Sequence, residues 1–103
     1  MKCGSPEERA VLQWIVSRAK IVVGARKVIL FGSRARSDAD DRSDFDIAIE
    51  PQFPDAMSQL RSEVEENPLT LLAFDIININ LAEETFRTRI LSEGRDITTI
   101  SDL

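Results

Sequence analysis

The amino-acid sequence predicts an α/β (α+β) protein in which helices flank a small mixed β-sheet. Three segments carry apolar residues at helical spacing, and three others are short and apolar enough to be buried strands. These segments follow one another in the order α-β-β-α-β-α. The chain has 103 residues, of which 43% are hydrophobic and 30% charged, so we expect one globular domain over residues 1–103.

The first helix is predicted to begin at Ser5-Pro6, because a serine can cap a helix and proline suits its first position. Glu8 stands three residues after Ser5, so the two residues would form a capping box. Gly24 follows the last apolar position of this segment and is expected to end the helix.

Three strands are predicted, at residues 27–31, 43–50 and 69–79. The first is largely apolar and stops at Gly32-Ser33. In the second, one face carries Phe45, Ile47 and Ile49, and the opposite face carries Asp44 and Asp46.

Two further helices follow the second and the third strand. Apolar residues at helical spacing from Phe53 to Val64 predict the first of them. Asn80 with Glu83 is expected to cap the last helix, and Gly94 to end it. Residues 96–103 would then form a short strand or a tail.

Composition excludes several kinds of catalytic site. The sequence contains no histidine, which removes Ser-His-Asp triads, Cys-His pairs and the common catalytic zinc sites. The single cysteine, Cys3, excludes an internal disulfide and a cysteine zinc cage. Catalysis would therefore depend on carboxylates, hydroxyls, backbone amides and arginines.

The charge is unevenly distributed along the chain. Residues 38–50 contain six acidic residues and one basic residue. The net charge of this segment therefore equals that of the whole chain, −5. Nucleic-acid binding requires a basic surface, so we expect no direct contact with nucleic acid. The apolar runs are too short to span a bilayer and the first residues do not resemble a signal peptide, so we expect a cytoplasmic protein without membrane contact.

Three aspartates are the candidate ligands of a cation. Asp44 and Asp46 would lie about 6.5 Å apart at Cα on one face of a strand, where two carboxylates can bind divalent cations. Asp75 is the one charged residue of an apolar run, and burying it ionised and unpaired would cost several kcal/mol. We therefore expect a metal or an arginine as its partner. Taken separately, the Asp-x-Asp pattern is also typical of a solvated strand edge or turn. Asp75 alone would also suit a strand end or an ion pair.

Gly32 and Ser33 are the candidate phosphate-binding residues. They end a strand where the chain turns into a helical segment, and backbone N–H groups at such a turn can bind phosphate oxygens beside the serine hydroxyl. Magnesium would let a triphosphate approach the acidic segment, since it binds carboxylates, phosphate oxygens and water together. The nearby Arg34, Arg36 and Arg42 would either contact phosphates or a partner, or balance the acidic residues around them.

A family resemblance is carried by two stretches, Phe31-Gly32-Ser33-Arg34-Ala35-Arg36 and Ser43-Asp44-Phe45-Asp46-Ile47-Ala48-Ile49. Together they resemble the signature of the polymerase-β-like nucleotidyltransferases, and in particular that of the minimal nucleotidyltransferases (MNT) of prokaryotes. Asp75 falls where this superfamily has its third carboxylate, and the stretch from Arg89 to Ile97 resembles the close of these small proteins. The resemblance covers residues 25–97 and departs at Ser37, where many relatives have glycine.

The resemblance implies an Mg²⁺-dependent nucleotidyltransferase with a two-metal site and ATP as its substrate. An acceptor hydroxyl would attack the α-phosphorus of the nucleotide, and pyrophosphate would leave. By this resemblance Asp44, Asp46 and Asp75 are the catalytic and metal-binding residues, and Gly32 and Ser33 bind the nucleotide through its β- and γ-phosphates.

The resemblance also implies a partner. Family members of this size are antitoxins of a type VII kind, which transfer AMP to a tyrosine of a helical HEPN ribonuclease toxin encoded nearby and form a hetero-oligomer with it. Since this sequence contains no tyrosine, such a product would form on the partner. Two alternatives stay open. One is a non-catalytic antitoxin that blocks its partner sterically, and the other is a transferase that modifies a small-molecule hydroxyl with a helical substrate-binding partner.

Overall fold

The computed structural model describes residues 6–36, 44–66 and 73–100 of the chain. Its helices are α1 (Pro6–Val23), α2 (Ser33–Arg36), α3 (Met57–Glu65) and α4 (Glu84–Glu93), and its strands are β1 (Lys27–Phe31), β2 (Phe45–Glu50), β3 (Phe74–Asn78) and β4 (Arg95–Asp96). The 3₁₀ turns Pro54–Ala56 and Ile79–Leu81 precede α3 and α4. None of the described helices combines the length and the apolar composition that a membrane crossing needs.

The described strands form one mixed sheet in the order β3-β2-β1-β4. Strand β1 is antiparallel to β2 and to β4, whereas β2 and β3 are parallel. A parallel pair needs a crossover connection, and α3 lies between β2 and β3 in the chain. The predicted fold class, a small mixed sheet flanked by helices, is therefore confirmed.

The two faces of the sheet pack against different helices. On one face, side chains such as Ile47 and Ile76 join a buried cluster with α1 and α3. On the other face, Ile90 of α4 packs with Ile29 and Ala48. Because side chains alternate between the faces of a strand, the residues that precede Ile47 and Ile76 in sequence lie on the α4 side.

The first helix ends where the sequence predicts. Helix α1 closes at Val23, and Gly24 follows with a φ of 62°, a left-handed conformation that glycine adopts at little cost. The predicted capping box is untested, since Ser5 lies outside the described residues. Glu8 itself is 5% exposed and forms an ion pair with Arg34, a residue 26 positions away.

The predicted cap of the last helix is wrong. Glu83 precedes α4 but makes no side-chain hydrogen bond at that end of the helix. Asn80 lies inside the turn Ile79–Leu81, and its backbone N–H donates to the side-chain oxygen of Asn78 at 2.9 Å. The asparagine pair therefore stabilises the turn before the helix, because residue 80 is too far from residue 84 to cap it. Gly94 follows the last residue of α4, as predicted.

The structure also adds two elements to the predicted order. The helical segment expected after Gly32 forms a helix of its own, α2, and part of the expected C-terminal segment pairs with β1 as β4. The predicted second and third strands are shorter than expected within the described residues, since they begin at Phe45 and Phe74. Residues 43 and 69–72 of those predictions lie outside the described part of the chain.

Candidate active site

A tight turn joins β1 to α2 at Gly32. The φ of Gly32 is 75°, which other residues adopt only with strain. The backbone N–H groups of Ala35 and Arg36 donate to the Gly32 carbonyl at 3.1 and 3.2 Å, so α2 starts within the same turn. Ser33 is the first residue of this helix. The sequence therefore predicted the position of this corner correctly, although its phosphate-binding role stays a prediction.

Arg34 fixes the corner to the rest of the protein. Its guanidinium donates to the Glu8 carboxylate at 2.6 Å and lies 4.1 Å from the centroid of the Phe45 ring. Only 6% of Arg34 is exposed. A buried arginine with a carboxylate and an aromatic ring as partners holds α2 against α1 and β2. The expectation that Arg34 is an exposed arginine balancing nearby acids is therefore wrong, whereas contact with phosphates or a partner stays untested.

The other two arginines near the corner differ from Arg34. Arg36 is exposed at the end of α2, and its charge acts on Asp46. Arg42 lies outside the described residues, as do the acidic residues 38, 40 and 41. Arg36 is therefore the arginine of this segment that the structure places beside the candidate carboxylates.

Asp46 and Asp75 lie side by side on adjacent strands. They are direct register partners in the parallel β2–β3 pair, so their side chains leave the same face of the sheet from backbones about 4.8 Å apart. Asp44 is exposed and lies just before β2, two residues from Asp46. On its other side Asp46 pairs with Phe31, the last residue of β1. The candidate carboxylates thus lie next to the Gly32 corner.

The Asp46 carboxylate touches that corner directly. A Cβ atom placed on Gly32 would overlap the Asp46 Oδ2 atom and would lie 3.1 Å from its Cγ. The absence of a side chain at residue 32 is therefore what allows the carboxylate to occupy this position. The contact joins the predicted phosphate-binding segment to the predicted cation-binding segment.

Electrostatics at Asp46 favour a cation. Burial raises the pKa of the Asp46 carboxyl, the negative charges of Asp75 and Asp44 raise it further, and the positive charge of Arg36 opposes them. A carboxylate that is partly buried among like charges is destabilised when ionised. A bound cation would relieve both effects, because it replaces lost hydration and offsets the repulsion.

Asp75 occupies a different environment from the one its sequence suggests. The run around it is apolar, but its side chain is exposed on the edge strand β3, so the expectation that this carboxylate is buried is wrong. An edge strand has a neighbouring strand on one side only, so its side chains can stay exposed to solvent even within an apolar sequence. The structure does place Asp75 directly beside Asp46, as its register partner on the adjacent strand. The expectation of a metal or an arginine as its partner stays a prediction.

The carboxylates suit magnesium better than a closed metal site. Within the described residues, no group of three or more His, Cys, Asp or Glu side chains is arranged to hold a metal ion alone. Magnesium is commonly bound by one or two carboxylates, with water and substrate phosphates as its other ligands. Asp46 and Asp75, with Asp44 beside them, fit that mode of binding, in which the substrate completes the site. The assignment of these three residues as metal ligands stays a prediction.

A cleft that the sequence did not indicate adjoins this site. It has a volume of about 180 Å³ and lies between the β1–α2 corner and α4. Phe31 and Phe86 meet edge to face in its wall, with ring centroids 5.9 Å apart. Arg36 and Arg89 bring two positive charges to it from α2 and α4. The sequence marks Arg89 as the first residue of the stretch that resembles the close of the family, but not as a site residue, because the packing of α4 on the sheet is what brings it near Gly32.

Comparisons with known proteins agree with this geometry. Residues 15–102 match the family described as "Polymerase beta, Nucleotidyltransferase". No curated protein matches the sequence. A solved structure described as "Crystal structure of the toxin-antitoxin with AMP-PNP" is similar in fold, with a TM-score of 0.68 at 16% sequence identity. That similarity covers 90% of this chain and 73% of the other one.

Proposed function

Because the chain belongs to the polymerase-β nucleotidyltransferase family, we propose that it is a magnesium-dependent adenylyltransferase that modifies a protein partner. The observation that carries this proposal is the register of β2 and β3, which places Asp46 beside Asp75. On its other side the Asp46 carboxylate contacts Gly32. Two carboxylates on adjacent strands beside a glycine corner suit nucleotidyl transfer, because they can hold Mg²⁺ next to a turn that can bind phosphate oxygens.

In the proposed reaction an acceptor hydroxyl oxygen forms a bond to the α-phosphorus of ATP. The bond between the α-phosphorus and the bridging oxygen breaks, so AMP is transferred and pyrophosphate leaves. Asp46, Asp44 and Asp75 would hold Mg²⁺, which when bound neutralises the charge that develops on the attacking and leaving oxygens. The Asp75 carboxylate, which is exposed, would also accept the hydroxyl proton. Gly32 and Ser33 would contact the β- and γ-phosphates.

The proposed partner is a toxin of the HEPN type, and the proposed acceptor is one of its tyrosines. The chain has no tyrosine of its own, so a tyrosine acceptor must come from another protein. The similar solved structure is described as a toxin-antitoxin with AMP-PNP, which agrees with a nucleotide-using antitoxin. By this proposal the chain is the antitoxin and forms a hetero-oligomer with its target.

Incubation of the purified chain with labelled ATP, Mg²⁺ and the protein encoded by the adjacent gene tests the proposal. We expect label on the partner, and we expect Asp46→Asn or Asp75→Asn to slow the transfer by about a hundredfold or more. Asp55→Asn is the matched control, since Asp55 is an exposed acid in the turn beyond the other end of β2. Its transfer rate should equal that of the wild type.

Protection of cells separates catalysis from binding. If folded Asp46→Asn protects cells from the partner as well as the wild type does, the protein acts by steric blocking and not by transfer. If no label reaches the partner but a small hydroxyl compound accepts it, the protein is a small-molecule transferase. Chelation of Mg²⁺ should abolish any transfer by the wild type.

A further inference from the structure

The cleft beside Gly32 has the size for part of a polyphosphate, and its lining includes two arginines and one glutamate, Glu93. Its volume of about 180 Å³ is smaller than the roughly 300–1,000 Å³ of pockets that enclose whole small-molecule ligands. It can therefore hold a part of a nucleotide and not all of it. Arg36 and Arg89 line it from two different helices, so a ligand between them would meet two guanidinium groups.

Arg89 is available to such a ligand. It is exposed on α4, and the 3.9 Å between its Nη2 atom and the Oε1 atom of Glu93 is at the outer limit for an ion pair. Exposed pairs of this kind contribute little to stability, so an anion of higher charge can displace Glu93 at small cost. The guanidinium group binds two phosphate oxygens at once, a geometry that lysine cannot reproduce.

The position of the cleft relative to Asp46 indicates which way a bound nucleotide would extend. Gly32 lines the cleft, and the place where its side chain would be is filled by the Asp46 carboxylate. A nucleotide whose α-phosphate lies at Asp46 would thus extend its remaining phosphates past Gly32 toward α4. The reactive phosphorus and the leaving group would occupy the two ends of one continuous surface.

We propose that Arg89, together with Arg36, binds the β- and γ-phosphates of the nucleoside triphosphate and the pyrophosphate that leaves. This inference rests on the proposed nucleotidyl transfer and assigns the leaving-group side of that site. It gives α4 a functional role besides its packing on the sheet. Phe31 and Phe86 form the apolar wall that holds the cleft open beside the charged groups.

Calorimetric titration of the full chain with Mg-ATP, inorganic tripolyphosphate and AMP tests the assignment. Arg89→Ala should weaken binding of ATP and tripolyphosphate by about tenfold or more and change AMP binding by less than about twofold. Glu93→Gln removes the negative charge beside Arg89 and should tighten ATP binding by up to about fivefold. Arg95→Ala is the control, because exposed Arg95 pairs with Leu30, whose side chain faces the opposite side of the sheet.

The outcomes distinguish this assignment from the proposed function. Equal ATP affinities for Arg89→Ala and Arg95→Ala overturn the assignment alone. Equal losses for AMP and ATP also overturn it, since the cleft would then hold the base or the ribose. If the wild type binds ATP with this pattern but labels no acceptor, the assignment stands and the transfer proposal fails. If the wild type binds neither ATP nor tripolyphosphate, both fail.

Discussion

Replacement of Gly32 by alanine separates the catalytic requirement for this residue from its structural one. Gly32 has a φ of 75°, and a methyl group there would overlap the Asp46 carboxylate. The second closest carboxyl atom, Cγ, would lie at 3.1 Å, so rotation of the end of the side chain cannot remove the conflict completely. Gly32→Ala should therefore push Asp46 out of line with Asp75.

The cost to stability can be worked from these two effects. A left-handed alanine costs about 1–2 kcal/mol, and an Asp46 side chain forced off its preferred rotamer adds about 0.5–1.5 kcal/mol. The combined loss of about 1.5–3.5 kcal/mol corresponds to a decrease in Tm of about 6–28 °C for a domain of this size. The loss of activity should be larger, because a displacement of about 1 Å at a catalytic group can cost about a hundredfold in rate.

Gly24→Ala is the matched control for this experiment. Gly24 has a similar φ of 62°, but the closest neighbour of its added methyl group is the ring of Phe53, at 3.0 Å. Phe53 is 54% exposed and can move away, whereas the Cβ atom of Gln52, at 3.1 Å, must shift by a few tenths of an ångström. This variant should lose at least about 1–2 kcal/mol and keep its transfer rate, since neither neighbour is a candidate site residue. Thermal unfolding and label transfer are measured on both variants at a temperature where each is folded. Wild-type transfer by Gly32→Ala, or equal loss of transfer by the two variants, would refute the reasoning.

Two further experiments test electrostatic interactions that stabilise the fold. Arg34→Met alone should lower the free energy of unfolding by about 3–5 kcal/mol, because it leaves Glu8 charged and buried, and Glu8→Leu in the same chain should recover most of that loss. Urea denaturation of the two single variants and the double variant measures the coupling, and additive losses would contradict it. Burial raises the pKa of Asp96, but hydrogen bonds from Thr98 and the charge of Lys27 outweigh it and place the pKa below its ordinary value of 3.8. The ionised carboxylate therefore stabilises the fold above pH 3.8, and this contribution is lost as the pH falls through the lower folded pKa. The difference in Tm between the wild type and Asp96→Asn should accordingly narrow as the pH decreases from 5 to 2, and a constant difference would contradict this explanation.

The sequence predicts those features that depend on neighbours along the chain. The bounds of β1 and the end of α1 at Gly24 agree with prediction, since an apolar run and a glycine are local signals. The corner at Gly32 is also local, because the left-handed backbone is set by the residue itself. Local patterns also place Asp46 and Asp75 each in an apolar strand, but that the two lie side by side depends on the register of β2 and β3, which no local pattern gives.

Features set by tertiary contacts escaped prediction. Glu8 and Arg34 each suit a surface position, but their ion pair, with the Phe45 ring beside Arg34, offsets the cost of burying both charges. Asp75 lies in an apolar run, yet its exposure depends on β3 being an edge strand, which the strand order decides. Arg89 reaches the cleft because Ile90, the next residue, fixes α4 on the sheet.

The strand order explains why so small a chain can assemble this site. Strand β2 carries Asp46 and lies between β1, which ends at the Gly32 corner, and β3, which carries Asp75. Three separate segments therefore meet at one end of one sheet without a second domain. Burial and, after it, the neighbouring acids raise the pKa of Asp46, so the ionised carboxylate opposes folding and the opposite face must supply the stability. The large cluster with α1 and α3 lies on that face, and the Arg34 contacts connect it to the corner. A buried face that stabilises and an open face that concentrates charge are thus two consequences of the same alternation of side chains along β2.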